Sequence, residues 1–226
     1  MADLRDMLPR LVGTVFVVTY GRSGSTLVQS VLQSVEGAHI VGENYQTLFP
    51  LFQSVQRARR TRNTWGKRDH PADHPWHGAS RVDPSAFADD LVRAFVAHVL
   101  VPPQDARWIG FKEIRFNTMQ DAFAPYLDFL AARFPNAHFV FNSRDGTSVS
   151  KSKWWARRPQ DQVIGMVEEM DARFSAYAAA HPDNCVHLRY EDFVSDPGAF
   201  RPVFDMLGEP FDEHRVREIF AKPLTH

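Results

Sequence analysis

Short unbroken apolar runs alternate along this chain with longer stretches in which apolar residues recur every three or four positions. Residues 11–19 form the first such run, rich in valine, and residues 39–41, 108–111, 137–142 and 185–188 form four more. Runs of this length without polar alternation predict strands buried on both faces, as in a parallel sheet. Helical spacing marks residues 27–35, 45–60, 84–100, 119–134, 148–157 and 162–180, and most of the chain beyond 188. Asp83 followed by Pro84 is a helix-start signal, because the carboxylate accepts from free N–H groups and proline tolerates the first helical position. Residues 61–80 are polar, carry proline and histidine and have no clear period, which predicts a loop or lid.

Strands alternating with helices imply an α/β fold, a mainly parallel sheet flanked by helices on both faces. The 226 residues are 44% apolar, enough for one buried core, so a single domain spanning 1–226 is expected. Ligands of such sheets bind at the carboxyl ends of the strands. Composition narrows the function. With 26 basic and 27 acidic side chains the formal charge is −1, which gives no reason to expect nucleic acid as a partner. No apolar run approaches the ~20 residues of a membrane span. Cys185 is the single cysteine. A reducing cytoplasm is therefore expected, with no disulfide framework.

The first strand runs into Tyr20, Gly21, Arg22, Ser23, Gly24, Ser25, Thr26 and Leu27, and then into a helix. A glycine-bearing turn between a strand and a helix aims backbone N–H groups at one point and makes an anion site. Ser23, Ser25 and Thr26 offer hydroxyl donors, and Arg22 a permanent charge whose fork matches phosphate oxygens. The loop is P-loop-like in position, yet it lacks the lysine of the Walker sequence.

This segment resembles the 5′-phosphosulfate loop of sulfotransferases, in the form found in carbohydrate and protein-tyrosine members. Cytosolic members commonly carry lysine where this chain has Arg22. The resemblance implies a P-loop NTPase-like sheet of sulfotransferase type, with 3′-phosphoadenylyl sulfate as co-substrate and no metal. It also implies that residues 22–27 hold the 5′-phosphosulfate. Family members clamp the 3′-phosphate with an arginine at the end of a later strand and a serine eight positions on, in the following helix. Arg144 and Ser152 match that spacing. Read without the resemblance, Arg144 is a strand-end arginine paired with Asp145, and Ser152 a helix serine. Residues 188–193 are similar to a recurrent family segment, which puts Tyr190 against the nucleotide; a tyrosine packed in the core is the alternative.

Resemblance also assigns the acid–base chemistry. Glu43 stands after the second strand, where carbohydrate and tyrosylprotein members place their general base; otherwise it is a solvated or capping residue. Lys112 falls in a G-x-K segment whose lysine stabilises the sulfuryl group or the leaving oxygen. The proline that commonly follows is replaced by Glu113 and Ile114, and a plain salt bridge to Glu113 or Asp121 is the competing reading.

The remaining features are open. Arg57, Arg59, Arg60, Arg62, Lys67 and Arg68 lie in a stretch, 44–68, without an acidic residue. It reads as a solvated helix end or as a lid for an anionic acceptor. Pro71 and Pro75 break the helix that would align His70, His74 and His77 on a metal. Trp154 and Trp155 read as core or pocket wall. The C-terminal residues 220–226 show no version of the basic loop that closes over the nucleotide in many relatives. The expected reaction is sulfuryl transfer to a hydroxyl or amine of a small-molecule, glycan, lipid or peptide acceptor. A nucleotide kinase or other P-loop phosphotransferase, and a non-catalytic nucleotide-binding module, are its rivals.

Overall fold

The computed structural model describes residues 3–222. Five parallel strands form its sheet: β1 (Gly13–Val18), β2 (Ala38–Val41), β3 (Trp108–Glu113), β4 (Ala137–Ser143) and β5 (Cys185–Arg189). Their order is β2-β3-β1-β4-β5, so the oldest prediction of the sequence, β1, becomes the central strand. All six residues of β1 are buried, as an unbroken apolar run requires. Successive side chains alternate between the faces. Phe16 and Val18 enter an aromatic-rich core with Phe111, Phe139, Phe141 and Phe174. Val15 and Val17 enter a second core with Val28, Val31, Leu188 and Phe204.

The helices are α1 (Ser25–Leu32), α2 (Leu48–Trp65), α3 (Pro84–Phe95), α4 (Phe123–Arg133), α5 (Gly146–Ser150), α6 (Gln160–Ala180), α7 (Tyr190–Ser195), α8 (Arg201–Leu207) and α9 (Glu213–Phe220). Asp83 caps α3 as expected, accepting from the backbone N–H of Ser85 at 2.9 Å and Ala86 at 3.0 Å. The same helix continues into a wider turn over Val96–Leu100 before Val101 stops it at φ 46°.

Among the boundaries that differ from the sequence reading, four have a local reason. Helix α2 starts at Leu48 rather than at residue 45, because Tyr45 and Gln46 take φ of 56° and 55°. It also runs on to Trp65, so the expected loop 61–80 shrinks. The shortened loop folds back on the helix end: Trp65 and Trp76 stack at 5.2 Å, and His70 and His77 bond to backbone carbonyls at 2.8 and 2.7 Å. Helix α4 starts at Phe123, since Gln120 at φ 46° interrupts the pattern. The helix expected over 148–157 is only the short α5, capped by Asp145 through the Ser148 N–H at 2.8 Å. Ser152 thus sits in the turns that follow α5, outside any helix. The C-terminal segment is described only as far as residue 222, so the expectation for 220–226 falls largely outside the described residues.

Candidate active site

Residues after β1, β3 and β4 meet at the carboxyl edge of the sheet, where the strand register puts Val18 level with Glu113 and Phe141. The loop after β1 is fixed from below. Thr19 donates its hydroxyl to Asn142 O at 2.6 Å and lies 2.7 Å from Ser23 Oγ, while Asn142 Nδ2 donates to Ser23 O at 2.9 Å. Ser23 is fully buried. Its hydroxyl therefore braces the loop from underneath, and Ser23 is not among the residues that line the cleft. Trp155 holds the other side of the turn, donating its indole N–H to Gly21 O at 3.1 Å.

Gly24 occupies the N-cap position of α1 at φ 85° and offers no side-chain cap. The free N–H groups of the first turn are left available to an anion. A Cβ at Gly24 would come within 2.2 Å of the Tyr190 ring, so that ring closes directly over the loop. Arg22, also left-handed at φ 73°, is exposed on the rim.

On the β4 side Arg144 is held three ways. Its Nη1 donates to Arg22 O at 3.2 Å, its guanidinium lies 4.1 Å from the Tyr190 ring centroid, and its backbone N–H donates to the Tyr20 hydroxyl at 3.0 Å. The salt bridge to Asp145 weighed from the sequence does not form; Asp145 caps α5 instead. Tyr20 donates its hydroxyl proton in a hydrogen bond to Asp171 Oδ1 at 3.2 Å. Burial pushes the Asp171 carboxyl up to about 6 and the Tyr20 hydroxyl well above its usual range. Three polar atoms of this wall are left over. Asn142 Oδ1, Arg144 Nε and Ser152 Oγ are buried, and none has a partner among the described residues.

The β3 side carries charge. Lys112, almost wholly buried, donates to Glu43 Oε1 at 2.8 Å, so neither Glu113 nor Asp121 is its partner. Arg115 Nη1 reaches Glu43 Oε2 at 3.1 Å and Glu113 Oε1 at 2.7 Å. Glu113 is 1% exposed and accepts N–H bonds from Gln46 at 2.9 Å, Asn44 at 3.3 Å and Ile114 at 2.8 Å. Burial raises the Glu43 pKa, but the pairs with Lys112 and Arg115 outweigh it and hold the carboxyl below its ordinary value.

A cleft of about 360 Å³ joins these walls. Arg22, Gly24, Ser25, Thr26 and Leu27 line it from the loop, Glu43 and Lys112 from one side, and Arg144, Tyr190 and Trp154 from the other. Of the residues expected from the sequence, only Ser23 and Ser152 are not in its lining. Trp154 is pocket wall and Trp155 is a brace, which resolves the two readings of that pair. The sequence reading missed Arg115 and Asp171, and named Tyr20 only as the first residue of the loop. Arg115 lies just past the end of β3, and only the pairing of chain segments 69 or more positions apart reveals its partner Glu43.

A model of the sulfotransferase family matches residues 14–213, which takes in the loop after β1, Glu43, Lys112, Arg144 and Tyr190. The chain belongs to the sulfotransferase family. Among solved structures it is similar to the sulfotransferase domain from the curacin biosynthetic pathway. That likeness covers 95% of this chain and 80% of that one at 17% identity, with a TM-score of 0.57. It is also similar to the sulfotransferase STF9 from Mycobacterium avium at 14% identity, covering 96% of this chain and 71% of that one, with a TM-score of 0.49. No curated protein matches the sequence. The parallel five-stranded sheet is thus a sulfotransferase fold. Among the described residues no helix is long and apolar enough to cross a membrane.

Proposed function

We propose that this sulfotransferase moves a sulfuryl group from 3′-phosphoadenylyl sulfate to a hydroxyl or amine of a small-molecule, glycan, lipid or peptide acceptor, releasing adenosine 3′,5′-bisphosphate. One observation carries the choice of donor. Arg144 Nε and Ser152 Oγ, eight positions apart, are buried donors with nothing to bond among the described residues. Leaving such groups unmade is costly, so they fit a ligand that brings acceptor oxygens. A 3′-phosphate does so. Tyr190, already stacked with Arg144, offers a face to the nucleotide.

The chemistry follows from the other two walls. The acceptor oxygen attacks sulfur in line, the bond from sulfur to the 5′-phosphate oxygen breaks, and its electron pair stays on that oxygen. Arg22 and the N–H groups of α1 offset the phosphate charge. Lys112 acts at the sulfuryl group, and Glu43 takes the acceptor proton. A carboxylate held low by two cations is a weak base. Turning Lys112 from Glu43 toward the incoming sulfuryl group removes one of them, and raises the basicity of Glu43 when it is needed.

The test is transfer of 35S from labelled donor across a panel of phenols, glycans, lipids and peptides, with Glu43→Gln alongside the parent. The proposal expects transfer to at least one acceptor and a fall of roughly 10²–10⁴-fold in Glu43→Gln, with bisphosphate affinity kept. Transfer of 32P from γ-labelled ATP in place of 35S would overturn the donor. An unchanged rate in Glu43→Gln would remove that residue as the base.

A further inference from the structure

Lys112 has two calls on it in the reaction just proposed, and this inference rests on that reading. It neutralises Glu43 in the free protein, and it lines the cleft where the sulfuryl group is to lie. Arg115 has one. Its guanidinium is absent from the cleft lining and is bound on three sides: Glu43 Oε2 at 3.1 Å, Glu113 Oε1 at 2.7 Å and the Tyr45 ring at 4.1 Å. Glu113 in turn is fixed by three backbone N–H groups and belongs to the sheet. The anchor is therefore rigid at the far end. We infer that Arg115 is a positioning residue that keeps a cation and a fixed orientation on Glu43 throughout the catalytic cycle, while Lys112 moves between Glu43 and the donor.

The backbone supports this division. Between Glu43 and α2 the chain takes two consecutive left-handed residues, Tyr45 and Gln46, which non-glycine residues adopt at a cost. That bend lets the N–H groups of Asn44 and Gln46 both point to Glu113, and lays the Tyr45 ring on the Arg115 guanidinium. One buried carboxylate thus organises the base segment and the cation beside the base. The charged groups facing Glu43 are Lys112 of β3, Arg115 just beyond it with Glu113 behind, and Arg22 and Arg144 across the cleft. Helix α1 presents the uncharged Gln29 to this segment.

The sign is fixed by charge. Loss of Arg115 leaves Glu43 with fewer cations, so its proton is held more tightly and its pKa rises. The experiment is a carbon-13 NMR titration of the Glu43 carboxyl, assigned by comparison with Glu43→Gln. It uses parent, Arg115→Met and Arg115→Lys, each free and saturated with adenosine 3′,5′-bisphosphate. A close opposite charge lowers a carboxyl by roughly one to three units. Arg115→Met should therefore raise the Glu43 value by about one unit or more, and Arg115→Lys should bring it most of the way back. Single-turnover 35S transfer should show the same displacement of its acidic limb. An unmoved Glu43 titration in Arg115→Met overturns the inference, as does a rate that falls with the limb in place. If Arg115→Met fails to fold, Arg115→Lys with a parental titration but a lost transfer rate also overturns it. Failure of the underlying proposal looks different: Glu43→Gln then transfers sulfate at the parental rate whatever Arg115 does to the titration.

Discussion

The two ends of the cleft are built on opposite plans. Beneath the phosphate loop the turn is held by hydrogen bonds without ion pairs, Thr19 with Asn142 and Ser23, Trp155 with Gly21, and Tyr20 with Arg144 and Asp171. At the Glu43 end, order comes from charge pairs, Lys112 and Arg115 with Glu43 and Arg115 with Glu113. Each end also keeps buried polar atoms without a partner among the described residues, Asn142 Oδ1, Arg144 Nε and Ser152 Oγ at the first and Asn44 Nδ2 and Gln46 Nε2 at the second. Both ends contain left-handed backbone. At the loop one of those positions is a glycine; at the other end Tyr45 and Gln46 bear side chains. The difference teaches a division of labour. A donor of fixed shape suits a scaffold that does not move, whereas proton and sulfuryl transfer suit ionic contacts that can be exchanged.

A single methyl group should break the rigid end. Gly24→Ala combines a strained φ with a contact at 2.2 Å to the Tyr190 ring. Such strain costs about 1–3 kcal/mol, and the displaced ring also releases Arg144. Affinity for adenosine 3′,5′-bisphosphate should fall by roughly 30- to 150-fold, or ~2–3 kcal/mol. Parental affinity, measured by calorimetry, would show that Tyr190 does not seal the loop.

A smaller effect sharpens the contrast. Asp171, under the loop, is the one charge there that burial disfavours; its carboxyl is pushed up to about 6. The folded protein prefers its protonated form, so stability that is fully present below the ordinary value of 3.8 is lost as pH rises to about 6, and no more is lost above that. Asp171→Asn keeps an acceptor for Tyr20 and has no charge to bury. It should be more stable than the parent at pH 8, by about 1 kcal/mol, with a smaller advantage at pH 5 that disappears only below about pH 4. An advantage that is the same at both pH values, or that is larger at pH 5, contradicts this account of Asp171.

The same contrast explains what could be read from the sequence. The positions of the five strands along the chain, the loop after β1 and the Asp83 cap are local patterns, and they were legible, whereas the β2-β3-β1-β4-β5 order of the sheet was not. Arg144 and Ser152 were picked out by a spacing that the family resemblance supplied, and the short α5 leaves Ser152 in a turn rather than in the expected helix. Ser23 carried the expectation of a ligand donor because its type suits the role; that its side chain is also buried against Thr19 could be seen only in the structure. Arg115 carried no signal, since its meaning lies in Glu43 and Glu113 meeting it across a bend made by Tyr45 and Gln46. The same bend hid the true start of α2. Residues that act through contacts distant in the chain leave no period or motif behind.

The central claim is that the cleft holds a donor bearing a 3′-phosphate, and calorimetry tests it with two ligands. A charged contact of the kind Arg144 and Ser152 can make is worth about 1.5–3 kcal/mol. Adenosine 3′,5′-bisphosphate should therefore bind roughly 10- to 150-fold more tightly than AMP. Removing the Ser152 hydroxyl, in Ser152→Ala, should narrow that gap. Equal affinity for AMP and the bisphosphate would contradict the account.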